Sequence, residues 1–373
     1  MADVLYFSRD TKAYIEIGDN IWEIPILDGF SFSQATNSTE ISLNEMSDIN
    51  GTSRRGMKKF NDSYAPAEWS MSTYIRPFVS TGTGDGASDD VLSHHAVEEA
   101  LWALMVGTGV RSDISAAGNT YPGVTPTLSN MVIDFDDSNK TTLGTCKIWF
   151  VLGATAGENE ASYSISEAVV NEASIEFDID GIATIAWSGF GSLISDETTP
   201  PTATLYEATT ATNNFIRNRL TTLVITGTGS GNFESTYDIT LTGGNVTVSN
   251  NMTFLTPETL GIVNQPLGHV TGSRTIMGSF TCYLNADTSE TDHSIDLFED
   301  LIESTTTITN QFGLNFKVGG PTAVPRIELN MAQAHLEIPT HSLDDVVALE
   351  VNFSALGTAI DATDELVITY VGS

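Results

Sequence analysis

The sequence predicts a mainly β protein: two tandem copies of one β-sandwich or barrel, each carrying one short α-helix. Three observations carry this expectation. Apolar residues mostly alternate with polar ones, as in strands that bury one face. Clusters of Gly, Asn, Asp, Ser and Thr separate these runs. A series of landmarks in the first half of the chain returns in the same order in the second half. With 373 residues the chain is long enough for two domains with separate cores, and 40% hydrophobic content lies well above that of a disordered chain.

In chain order, residues 14–17, 22–26, 30–33 and 69–75 alternate and read as strands. Residues 91–106 place Val97, Leu101, Leu104 and Met105 on one helical face and stop at Gly107. Residues 147–152 also read as a strand and are more continuously apolar. Residues 174–180 and 182–187 flank a hairpin turn at Asp180-Gly181. The stretch SDETTPPTATLYEATTATN then reads as a linker.

Beyond the linker the pattern restarts. Phe215-Ile216-Arg217 answers Phe7-Ser8-Arg9, and Val246 to Ser249 answer Phe30 to Ser33. Ser279 to Tyr283 answer Ser70 to Tyr74, and residues 294–303 form a second helix with Ile295, Phe298, Leu301 and Ile302 on one face. Ala334 to Ile338 answer Ala173 to Phe177, and Phe353-Ser354 answer Trp187-Ser188. The expected organisation is a first copy at 1–198 with an insertion at about 109–142, a linker at 199–212, and a second copy at 213–373.

Charge excludes several functions. Lys+Arg number 15 and Asp+Glu 48, a net charge of −33 with neutral His. Phosphate binding needs clustered cations, so surface binding of nucleic acid or anionic membrane is disfavoured. No apolar run reaches membrane-spanning length, and the N-terminus has no signal-peptide pattern. Cys146 and Cys282 are expected as buried free thiols.

Motifs for chemistry are missing or incomplete. His94-His95 before Glu98-Glu99 reads as the solvated start of the helix, with i,i+4 pairs, rather than as a metal site. Asp134 to Asn139 lacks the Gly and distant Glu of a calcium loop. The Gly-rich stretches 82–86 and 227–231 lack a phosphate-loop ending, and no Ser-His-Asp set is placed. No catalysis, cofactor or metal is expected.

Residues 69–77, WSMSTYIRP, and the hairpin 175–191, IEFDIDGIATIAWSGFG, resemble the major tail tube proteins of tailed bacteriophages. The strand order, the single helix and the long loop after the second strand block are similar as well. The resemblance implies a sandwich whose strands join those of neighbours into a ring. Such rings stack into an acidic-lined tube for genome ejection. Six tube domains per ring would make a duplicated chain a trimer with pseudo-hexameric symmetry, a hexamer being the alternative. The implied partners are further copies, then tape measure, terminator, baseplate and, in a contractile tail, sheath proteins. DNA passes only in transit, without specific binding or membrane insertion, and assembly takes place in the host cytoplasm.

Two residue sets are singled out. Arg54, Arg55, Lys58 and Lys59 concentrate cations in one long loop, and Arg274 lies in the matching slot of the second half; these are candidates for contact between rings. Glu176, Asp178 and Asp180 alternate toward one side of a strand and, with Glu337 in the corresponding slot, are candidates for the lumen. The rival readings are a hub or distal-tail protein of the same fold, a β-sandwich adhesin or carbohydrate-binding protein, and a two-carboxylate hydrolase. An adhesin predicts clustered surface aromatics, whereas all five Trp residues fall inside expected elements.

Overall fold

The computed structural model describes residues 6–41, 50–51, 57–79, 93–108, 123–135, 143–153, 160–203, 214–227, 236–255, 266–286, 292–303, 312–343, 346–360 and 362–372. The chain is mainly β, as its alternation demands. The first half contains β1 (Lys12–Ile17), β2 (Asn20–Ile24), β3 (Ser31–Ile41), β4 (Lys58–Tyr74), β5 (Pro77–Val79), β6 (His94–Ala96) and helix α1 (Glu99–Val106). It continues with β7 (Val124–Pro126), β8 (Met131–Asp134), β9 (Cys146–Leu152), β10 (Ala161–Asp178), β11 (Thr184–Gly191) and β12 (Ile194–Glu197).

The second half contains β13 (Thr222–Gly227), β14 (Tyr237–Asp238), β15 (Leu241–Ser249), β16 (Thr253–Leu255), β17 (Gly268–Val270), β18 (Thr275–Tyr283) and α2 (Ser294–Glu303). After it come β19 (Phe312–Val318), β20 (Arg326–Leu336), β21 (Thr340–Leu343), β22 (Val347–Leu356) and β23 (Val367–Val371).

The ladders follow one scheme in each half. In the first, β2–β1–β9–β10–β12 form one layer and β3–β4–β11–β10 the other. In the second, β14–β13–β19–β20–β23 and β15–β18–β22–β20 pair in the same manner. A single long strand thus serves both layers. In β10 the ladder slips between Ile165 and Ala168, and Glu167 adopts a φ of 48°. That bulge turns the strand from one layer into the other.

Two joins cross between the halves. β10 pairs with β15, and β8 pairs with β23. The core is continuous across them. Trp102 meets Trp187 edge to face at 4.9 Å, and the ring of Phe316 contacts Phe353 at 5.6 Å and Phe177 of the first half at 5.3 Å. All five Trp residues are buried, so they are core and not a ligand-stacking surface. Both cysteines are buried free thiols, and burial pushes the Cys282 thiol up to about 11.

The structure corrects three expectations. The first helix begins at Glu99, because His94–Ala96 pair with β5 as a strand. Every residue of α1 is buried, since strands pack around it, so the one-sided face expected for it does not exist. Helix α2 has the expected bounds, but Leu297 and Leu301 are its buried apolar residues and Ile302 is exposed. The sequence matches of β10 with β20 and of β11 with β22 also do not hold together: Ala173 lies opposite Trp187, whereas Ala334 lies opposite Ala355 and not Phe353.

Candidate functional site

Eight strands form one continuous antiparallel sheet in the order β3–β4–β11–β10–β15–β18–β22–β20. Alternation sorts its side chains. Trp69, Met71, Ile175, Phe177, Trp187, Phe280 and Phe353 point into the core. Their neighbours along each strand point to the other face and are small or acidic.

The register lays this face out in rows. One row reads Ser31, Ser70, Ser188, Glu172, Ser249 and Thr275. The next reads Ser72, Ala186, Ser174, Thr247, Met277, Ser354 and His335. A third carries Tyr74, Thr184, Glu176, Asn245, Ser279 and Asn352, and Glu337 follows, its N–H donating to the Asn352 carbonyl at 2.9 Å. Asp178, Gly243, Thr281 and Glu350 make a fourth. Hydroxyl pairs tie strands across the face: Ser31 to Ser70 and Ser174 to Thr247, each at 2.8 Å. The second of these spans the join between the halves.

Glu68, Glu172, Glu176, Asp178, Glu337 and Glu350 stand on this face, and the four rows contain no Lys or Arg; beyond them, on the outlying β3–β4 ribbon, the register carries Lys58 onto the same side. The cations are used elsewhere. Lys147 pairs with Glu197 at 2.8 Å, Arg326 with Glu328 at 2.7 Å, and Lys12 with Glu23 at 3.1 Å. The face therefore has a single sign of charge and few large apolar groups.

The sheet ends on two unpaired edges among the described residues. At one end β3 pairs only with β4. At the other, the last residues of β20 pair only with β22, and β21 continues along the same strand.

No family model matches the chain. Tail tube protein pb6 of Escherichia phage T5 is 32% identical over 354 residues, which cover 93% of this chain and 70% of that protein. The chain belongs to the phage tail tube proteins. It is thus a structural component of the virion tail, and among the described residues no helix is long and apolar enough to cross a membrane.

The tube-protein residues singled out from sequence fall in different places. Glu176 and Asp178 lie on the acidic face, as does Glu337. Glu337 is bonded to the Asn352 carbonyl, whereas Glu176 lies opposite Thr184. Asp180 lies beyond the end of β10, in the turn, 3.4 Å from Arg219. Arg54 and Arg55 lie outside the described residues, as do the Gly-rich stretch 82–86 and residues 136–139 of the calcium-like stretch. Lys58 and Lys59 start β4, exposed, opposite Ile41 and Glu40. Arg274 is taken up within the chain, bonded to Glu365 at 2.6 Å and stacked on Phe135.

Glu68, Glu172 and Glu350 escaped sequence reading, although their parity with Ser70, Glu176 and Asn352 marks them. The pairs His94-His95 and Glu98-Glu99 are buried, not solvated. β6 lies against the end of β23, and His95 Nδ1 sits 2.7 Å from Glu99 Oε2. No group of three or more His, Cys, Asp or Glu among the described residues is placed to share a metal ion.

Proposed function

We propose that this tube protein is a tandem duplication that closes head to tail into a trimeric, pseudo-hexameric ring, and that its acidic sheet face lines the lumen. The observation that carries this reading is the β10–β15 join. It seats one half of the chain against the other, and the edges that β3 and the end of β20 leave unpaired among the described residues support a second such join between chains.

The registers within the chain support a particular join between chains, with the two halves aligned on Ser188 and Ser354. Ser31–Ser70–Ser188–Glu172 in the first half correspond to Thr247–Met277–Ser354–His335 in the second. Glu172 lies opposite Ser249, two residues beyond Thr247. By the same step His335 of one chain lies opposite Ser33 of the next, and Glu337 opposite Ser31. Pairing these edges removes two exposed ladders, and a heterologous contact that closes gives a ring. An acidic lining repels phosphates and lets DNA slide without adhesion. Both halves are acidic, which keeps chains apart until the edges meet.

The test is a Ser33→Cys/His335→Cys double variant under oxidation, beside each single variant. Covalent trimers in the double variant, and none in the singles, are expected. Covalent hexamers would favour the alternative stoichiometry. A monomer that persists at high concentration would overturn the ring.

Stacking of rings into a tube is the second part of the proposal. The β3–β4 hairpin continues past the sheet as an exposed two-stranded ribbon, and its cations Lys58 and Lys59 stand out on a chain of net charge −33. Arg54 and Arg55 belong to the same stretch of sequence. A single ring at the tail end, as in a hub or distal-tail protein, predicts few copies per virion, whereas a tube predicts many.

A further inference from the structure

We propose that Arg76 and Glu98 form a buried latch that clasps the second half of the chain to the first at two points, and that the latch loosens as the solution passes from acid to neutral pH. Strands β23 and β8 then part first, while the β10–β15 join holds.

The latch is built around residues 74–78, where β4 passes into β5. The second half begins there. The Phe215 ring meets Tyr74 edge to face at 5.3 Å and lies 5.8 Å from the Arg76 guanidinium, and Asn214 Nδ2 donates to the Pro77 carbonyl at 2.8 Å. Strand β23 arrives at the same place from the other direction. Gly372 lies so close that an added Cβ would sit 2.7 Å from the Phe78 carbonyl carbon. Two residues earlier, the Tyr370 hydroxyl donates to the Glu98 carboxylate and accepts from Trp102 Nε1 at 2.7 Å. Glu98 Oε2 stands 3.5 Å from the Arg76 backbone N. Arg76 thus grips the first residues of the second half, and Glu98 grips β23.

Both groups are held almost out of water: Glu98 is 0% exposed and Arg76 8%. Burial draws Arg76 down from its usual range, and the Glu98 charge pulls it partly back. Burial raises the Glu98 carboxyl from 4.5 to about 7 against the opposing pull of Tyr370 and Arg76. Parting β23 from this wedge removes Tyr370 and admits water, which returns Glu98 to its ordinary range. The open form therefore ionises from about pH 4.5 and the closed form only near 7, so each pH step between them favours opening. Above about 7 both forms are ionised and the loosening stops. The other ionisable groups of the wedge are His94 and His95 on β6 and Glu99 on α1. His95 Nδ1 faces Glu99 at 2.7 Å and His94 Nδ1 faces the Thr127 carbonyl at 3.4 Å, so both imidazoles have partners of their own. β23 pairs with β8 over four residues, Val367 to Tyr370, whereas β10 and β15 pair over seven, and the shorter join gives way first.

The experiment is amide hydrogen exchange of the full chain from acid to mildly alkaline pH, corrected for the intrinsic rate of each amide. The opening constant of β23 and β8 is expected to rise on the order of a hundredfold between pH 4.5 and 7 and then level off. β15 should change far less. In Glu98→Gln the rise should disappear, although His94, His95 and Glu99 remain. Tyr370→Phe, which removes a donor to the carboxylate, should move the plateau to higher pH. A rise of equal size in β15 would assign the effect to global unfolding, and a rise that survives Glu98→Gln would assign it to another group. Either result overturns the latch, as does exchange in the parent that ignores pH.

Discussion

Glu98 is fully buried at the start of α1, its Oε2 3.5 Å from the Arg76 backbone N. Burial pushes its carboxyl up to about 7, although Tyr370 and the Arg76 charge draw it part of the way back. The Tyr370 hydroxyl in turn accepts from Trp102 Nε1 at 2.7 Å. An unfolded Glu98 releases its proton near 4.5, whereas the folded one holds it until about 7. Folding therefore carries no penalty from this group below about pH 4.5, a growing one up to pH 7, and above that a cost of about 3 kcal/mol. Glu98→Gln is expected to raise the melting temperature at pH 8 and leave it nearly unchanged at pH 4.5. An equal shift at both pH values would assign the effect to packing. Nothing in the sequence marked Glu98 as buried. Two His and two Glu in six residues read as a wet surface, and only the pairing of β6 with β5 and its packing against β23 turn them inward.

β11 shows what a single element owes to its neighbours. Gly189 sits between Val169 and Trp69, where an added Cβ would lie 1.9 Å from the Val169 carbonyl oxygen and 2.7 Å from the Trp69 ring. Gly189→Ala is expected to destabilise the protein by about 1–3 kcal/mol through overpacking, read by thermal or urea unfolding. A change smaller than 0.5 kcal/mol, the usual range for a surface site, would mean that the ladder relaxes freely. Alternation in the sequence revealed this hairpin, its turn at Gly181 and the inward Trp187. It did not reveal that β10 begins at Ala161 and crosses both layers, because the bulge at Glu167 breaks the period of two. The acidic face was legible only where Glu176 and Asp178 alternate without interruption. Its remaining members sit on strands that become neighbours through pairings as distant as β10 with β15, which local sequence does not encode.

For the whole molecule, the proposed placement of the acidic sheet face in the lumen makes its sign decide how the assembled protein treats DNA. Glu172→Lys/Glu176→Lys/Glu350→Lys is expected to fold and form rings, since all three side chains point away from the core. Its tubes should retain short duplex DNA at low salt and release it steeply as salt rises, while parent tubes retain none at any salt. Retention by the parent would place this face outside the lumen. Salt should act differently on stacking, where screening weakens the contact of Lys58 with an acidic neighbour, so tubes are expected to shorten between 50 mM and 500 mM NaCl. The β10–β15 join has a kinetic consequence as well. Because a covalent chain already holds two blocks side by side, half of the seams in a closed annulus form during folding of a single polypeptide, at a rate independent of concentration. In the proposed trimeric ring only the remaining seams need collisions between separate molecules, so the equilibrium amount of closed ring should rise with the third power of chain concentration rather than with the sixth power that six separate blocks would need.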